Sequence, residues 1–378
     1  MNKSKNTGIT LVALVITIII LLILAGISIS SLTNSGLFEN AKLAEERTKN
    51  AQEKENSILS EYADLINQYA KGITWTMNEE TGEITGGGKT LHVGDYVNYQ
   101  AKVTNATDEQ LTALNTQLNT YSGATDNALA NEALEWRVLD VVNGQIRLIS
   151  ATPTTKTISL CGEDGYNNAV YLIDNACKTL YNSSYASKVQ NLKIEDIEKY
   201  LTYDYTQFEN GFVDTKKYGG TAEYIKDNYR YYPNIFAKEK TGWVDDVQGT
   251  ELGLSQQKTL ITGSTMASSK IKATQTFWEK TMATTDFKNS IYYTLYINNG
   301  SNYSKYLMSS RCVHATINPI FNVSAVYSGR VFAYSLCIST NAIGSTVKAA
   351  FRPVITLRSN VSIGKGNGDT TPYELIME

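Results

Sequence analysis

From Ile9 to Ile29 the chain is apolar and uncharged, broken only by Thr10, Thr17, Gly26 and Ser28. About 20 helical residues at 1.5 Å each match a ~30 Å hydrocarbon layer. The run therefore predicts a membrane-spanning helix over 9–32. It exceeds the roughly 7–15 apolar residues of a cleaved secretory signal, which is the competing reading beside a buried soluble helix. Thr33-Asn34-Ser35-Gly36 then signals a turn. Leu37, Ala41, Ala44, Thr48, Ala51, Glu55, Ile58, Tyr62, Leu65 and Tyr69 step by 4 and 3, which predicts an amphipathic stalk helix over 33–72. Its lower half carries small residues suited to bundling and its upper half large ones suited to docking.

Past Lys71-Gly72 the period shortens to that of strands. Leu91 to Tyr99 alternates as a half-buried strand does. Glu135–Val142 and Gln145–Ser150 flank Asn143-Gly144, a strong hairpin signal. Asn105 to Asn119 fits either a loop or a short helix. Residues 166–230 read mostly helical, with Ile194, Ile197 and Leu201 on one face. Strands are expected at Tyr292–Ile297, Val323–Tyr327, Val331–Ile338 and Phe351–Leu357. The fold class expected is α+β: a long N-terminal transmembrane and stalk helix, then a mixed, strand-rich head over 73–378.

Composition narrows the function. The 378 residues carry 34 Lys+Arg against 37 Asp+Glu, a net charge of −3, so no basic field exists to hold a nucleic acid. A 42% hydrophobic share excludes intrinsic disorder. Two histidines leave little for metal or imidazole chemistry, and no C-x-x-C pair exists, so neither a metal nor a cofactor is expected. Charge around the apolar run favours a cytoplasmic N-terminus only weakly, since Lys3 and Lys5 are matched by Lys42, Arg47 and Lys49.

Two resemblances add to this reading. Lys5-Asn6-Thr7-Gly8 followed by Ile9-Thr10-Leu11-Val12-Ala13-Leu14-Val15 resembles the class III signal of type IV pilins and pseudopilins. The resemblance implies a leader over 1–8, cleavage by a prepilin peptidase between Gly8 and Ile9, and methylation of Ile9. Residues 9–32 would stay in the lipid bilayer as a single-pass anchor, with the head at the cell surface and pilin-like subunits as partners. Ala13 stands where the pilin pattern has Glu. In the head, Trp136-Arg137-Val138-Leu139, Leu148-Ile149-Ser150, Tyr306-Leu307-Met308-Ser309-Ser310-Arg311, Gly329-Arg330-Val331 and Phe351-Arg352-Pro353-Val354-Ile355-Thr356-Leu357 come in order. That order resembles a bacterial domain related to the formylglycine-generating-enzyme and C-type-lectin-like fold. Leu307 follows Tyr306 where that family often has Trp.

Candidate chemistry is sparse. Cys161, Cys177, Cys312 and Cys337 permit two disulfides in three connectivities, spacing suggests Cys161–Cys177 and Cys312–Cys337, and four free buried thiols are the alternative. Cys312-Val313-His314 places a thiol and an imidazole on one strand face, with nothing nearby to orient the ring. Arg311 and Arg352 read as buried arginines paired with carboxylates. Asp369 and Asn367 offer too few oxygens for calcium. Tyr231, Tyr232 and Trp243 form an aromatic concentration suited to a surface glycan or protein ligand. The function expected is a non-enzymatic, membrane-anchored pilin-like protein presenting a binding or scaffold head for adhesion. The alternatives are an extracellular enzyme on the formylglycine-enzyme-like fold and a secreted binding module.

Overall fold

The computed structural model describes residues 15–23, 55, 72–99, 106–202, 255–257, 260, 277–298, 305–314, 320–338 and 345–377. The chain divides into two units, Met1–Ala70 and Lys71–Glu378. In the first, residues 15–23 are helical and exposed. The expectation of a long transmembrane and stalk helix is corrected: among the described residues no helix is long and apolar enough to cross a membrane. The single-pass anchor and the cell-surface placement that depended on it have no support. The rest of the expected span and all of the stalk except Glu55 lie outside the described residues.

The second unit is strand-rich with few, short helices. β1 (Thr76–Met77), β2 (Glu83–Gly86) and β3 (Lys89–His92) form a small meander. The alternation from Leu91 to Tyr99 is not one strand. Gly94 adopts φ 95° and turns the chain between β3 and β4 (Tyr96–Val97). Helix α1 (Asp108–Tyr121) settles the ambiguous segment. Thr107 Oγ1 accepts from Gln110 N while the Gln110 side chain accepts from Thr107 N, a reciprocal cap. β5 (Trp136–Val142) and β6 (Gln145–Ser150) make the expected hairpin, with Asn143 and Gly144 both at positive φ.

β7 (Ile158–Cys161) runs into the longest described helix, α2 (Gly162–Tyr181), which buries Tyr166, Leu172, Ile173 and Cys177 in the core. The loop after α1 crosses β7 closely. A Cβ on Gly123, at φ 71°, would stand 2.0 Å from the Cys161 carbonyl oxygen. Gly123→Ala is expected to destabilise the head by at least ~2 kcal/mol, since left-handed strain and a backbone clash add. Urea unfolding checks this, and an unchanged midpoint would refute it.

β8 (Ala186–Asn191) and the short α3 (Ile194–Glu198) follow, so within 166–202 the helical reading holds to Tyr181 and again over α3, and residues 203–230 lie outside the described residues. Beyond β9 (Lys280–Thr281), the strand expected at Tyr292–Ile297 is instead helix α4 (Ile291–Tyr296). Tyr292, Leu295 and Tyr296 fall at i, i+3 and i+4 and are buried, so tertiary packing overrides β propensity. β10 (Tyr306–His314), β11 (Ile320–Tyr327), β12 (Arg330–Ile338), β13 (Thr346–Phe351), β14 (Pro353–Leu357), β15 (Val361–Ile363) and β16 (Leu375–Met377) complete the unit.

Two larger sheets hold the core, ordered β7-β13-β10-β11-β12-β9 and β4-β5-β6-β14-β8, and β15 pairs with β16 apart from them. The segment Phe351–Leu357 is split at Arg352. β13 belongs to one large sheet and β14 to the other, so the chain changes sheets at this one buried residue.

Candidate functional site

The prepilin-type processing residues Gly8 and Ile9, and the aromatic residues Tyr231, Tyr232 and Trp243, lie outside the described residues. The cysteines do not pair as spacing suggests, and all four are free thiols. Cys161 caps α2 and Cys177 lies on the same helix sixteen positions on, about 24 Å away at 1.5 Å per residue. Cys312 is the register partner of Asn322, and Cys337 that of Phe321. Adjacent residues of β11 point to opposite faces, and β10 and β12 are two strand spacings apart, about 9.5 Å. A disulfide tolerates neither separation. Cys312 is buried, with its thiol pushed up to about 12 by burial, and it accepts a hydrogen bond from Ser324 Oγ at 3.6 Å. The His314 ring stacks on Phe277 at 4.6 Å, and burial lowers its pKa.

The two arginines are buried, as expected, and both donate to backbone carbonyls. Arg311 Nη1 donates to Asn167 O at 2.8 Å, and its guanidinium lies 5.6 Å from the Tyr166 ring. Arg352 donates from Nε and Nη2 to Ser150 O at 3.2 and 2.8 Å, from Nη2 to Ala151 O at 3.1 Å, and from Nη1 to Leu295 O. Burial lowers the pKa of this guanidinium. In the C-terminal turn, Asn367 Oδ1 accepts from Asp369 N and Thr371 N and so shapes the loop. Among the described residues no group of three or more His, Cys, Asp or Glu is placed to hold a metal.

The densest titratable cluster joins β5, β6, α3 and α4. Asp140 and Arg147 are register partners on the hairpin. Arg147 donates from Nε to Asp140 Oδ1 at 2.6 Å and from Nη2 to Oδ2 at 2.5 Å, the bidentate geometry that suits a guanidinium. Its Nη1 reaches Asp196 Oδ1 at 2.7 Å. Tyr200 Oη donates to Asp140 Oδ2 at 2.8 Å, and Lys199 Nζ lies 3.8 Å from the same oxygen. Asp196 Oδ2 accepts from Lys193 N at 2.9 Å. Tyr200 stacks on Tyr292 at 3.8 Å, and Tyr292 on Tyr296 at 5.8 Å. Burial, then the Asp140 charge, push the Tyr200 phenol far above its ordinary value, so it remains a donor. Every carboxylate oxygen here is engaged. The cluster clamps elements together and offers no open acceptor to a reacting group.

A different arrangement lies at the β11–β12 hairpin. Ser328 and Gly329, both at positive φ, form its two-residue turn. The pairs Tyr327–Arg330, Ala325–Phe332 and Val323–Tyr334 share one face, because directly opposed residues do. Tyr327 is 47% exposed, and Phe332 and Tyr334 are partly exposed. Their rings cluster, Phe332 edge-on to Tyr334 at 4.6 Å and Tyr327 at 6.4 Å from each. The Lys305 ammonium sits 4.3 Å over the Tyr334 ring, and Arg330 pairs with Glu279 at 3.0 Å. Burial, with Tyr327 beside it, pushes the Tyr334 phenol up to about 12. No protein family, curated protein or solved structure matches this chain. The hairpin is therefore judged on its own chemistry. Sequence reasoning overlooked it, although aromatic residues at i and i+2 beside a Ser-Gly turn were a usable signal.

Proposed function

We propose that the head is a non-catalytic binding module whose Tyr327–Phe332–Tyr334 face takes a carbohydrate chain. The clustering of three partly exposed rings beside a cationic side chain carries this reading. Aromatic faces attract the C–H surface of a sugar ring, while the Tyr hydroxyls and the Lys305 ammonium can bond its rim hydroxyls. The saturated Asp140–Arg147–Asp196 cluster supports a scaffold role for the titratable groups rather than a reaction. Titration calorimetry of the full chain with chitohexaose and cellohexaose tests it. At least one is expected to bind, and Phe332→Ala and Tyr334→Ala are each expected to weaken binding about 10-fold, roughly 1.4 kcal/mol. Absence of binding to either sugar, or wild-type affinity in both variants, would overturn the assignment.

A further inference from the structure

Neither cysteine pair suggested by spacing is compatible with the fold, yet a third combination is brought together by it. Cys161 is the N-cap of α2 and is partly exposed, with no side-chain capping bond. Cys337 shares the face of its register partner Phe321, whose ring packs edge-on against Tyr166 of α2 at 5.2 Å. Cys337 therefore lies on the sheet face that packs against the N-terminal part of the helix that Cys161 caps. The backbone agrees. Cys161 is the register partner of Thr346, and the neighbouring Ser345 N donates to Leu336 O at 2.9 Å, one residue from Cys337. β7 and β12 come within 8 Å, Cα to Cα, although they are not adjacent in the sheet order. A disulfide needs a Cα separation of about 4.4–6.8 Å, so the neighbouring ends of β7 and β12 must close to that range as the bond forms.

We infer that Cys161 and Cys337 form a reversible disulfide under oxidising conditions, tying the β7–α2 junction to the end of β12. Oxidised glutathione, or another low-molecular-weight disulfide, is the oxidant. The partly exposed Cys161 attacks one of its sulfurs as the thiolate and expels one glutathione thiolate. Cys337 then loses its proton to solvent base and attacks the Cys161 sulfur, expelling the second glutathione. Two protein thiols are oxidised and one disulfide is reduced to two thiols. The thiol of Cys337 is pushed up by burial first, then by the neighbouring Glu163 and Cys161. This makes the second step the slow one and speeds it as pH rises.

The test is peptide mapping by mass spectrometry of the full chain, under non-reducing conditions, after incubation with oxidised glutathione. A linked peptide joining Cys161 to Cys337 is expected, lighter by two hydrogens than the reduced pair and released by dithiothreitol. It is expected to persist in Cys177→Ser and Cys312→Ser and to vanish in Cys161→Ser and Cys337→Ser. The oxidised wild type is also expected to melt several degrees higher than the reduced protein. Glutathione retained on Cys161 with Cys337 still a free thiol, or Cys161 linked to any other cysteine, would overturn the inference. Mapping of the wild type alone decides it should a serine variant fail to fold.

Discussion

Arg352→Ala is expected to leave the head unfolded at 25 °C. The side chain is fully buried at the point where the chain passes from one large sheet to the other, and it feeds the carbonyls of Ser150, Ala151 and Leu295. Those carbonyls end β6 and lie in the last turn of α4, where intrahelical donors have run out. Truncation leaves three buried acceptors without their donor at about 1–3 kcal/mol each, and opens a cavity besides. The sum approaches the ~5–15 kcal/mol that holds a domain folded. Arg352→Lys is expected to recover little, because a single ammonium has no planar fork to serve carbonyls on two elements. The backbone of the same residue is also committed: its N–H donates to Asn191 Oδ1 at 2.6 Å, and its carbonyl accepts from Leu192 N at 2.9 Å. Circular dichroism and urea unfolding measure this. A variant within ~2 kcal/mol of wild type would mean that the crossover is held by the backbone alone.

What was legible in the sequence depended on how local its cause was. The Asn143-Gly144 hairpin could be read because positive φ at both turn residues is a demand of the dipeptide itself. The strands around 323–338 could be read from their composition and alternation. Tyr292–Ile297 misled because tyrosine and isoleucine favour strands, while the i, i+3, i+4 placement that won depends on Tyr200 and other distant neighbours. Gly94 broke an otherwise regular alternation. At the N-terminus hydropathy suggested a span, but among the described residues no helix is long and apolar enough to cross a membrane. Arg352 was recognisable as a buried cation, but its partners are carbonyls, which every residue carries and no sequence motif marks. The aromatic face was half legible: the ring spacing is in the sequence, whereas its clustering with Lys305 needs β10 and β12 placed together.

Asp140→Ala is the second large effect expected, about 3–5 kcal/mol of lost stability. Asp140 is fully buried and occupies three donors from two residues, so its removal leaves Arg147 with Asp196 alone and Tyr200 Oη without an acceptor. Asp140→Asn should cost less, since an amide oxygen still accepts from one of them. The cost belongs to the stranded partner more than to the pair. In an Arg147→Met background, Asp140→Ala is therefore expected to lose less than half its single-variant effect, and a double-mutant cycle reads that coupling directly. The exposed pair Lys348–Asp126 provides the contrast. It has a similar separation, 2.7 Å, but both side chains are about half exposed, and Lys348→Ala is expected to change stability by no more than ~0.5 kcal/mol. Asp140→Ala within 1 kcal/mol of wild type, or additive with Arg147→Met, would show that the cluster does not clamp the hairpin to α3. The clamp matters beyond stability. Glu198 of α3 accepts from Trp278 Nε1 at 3.0 Å, just ahead of β9, which pairs along β12 beside Arg330. Loss of Asp140 should thus loosen the edge that supports the aromatic face.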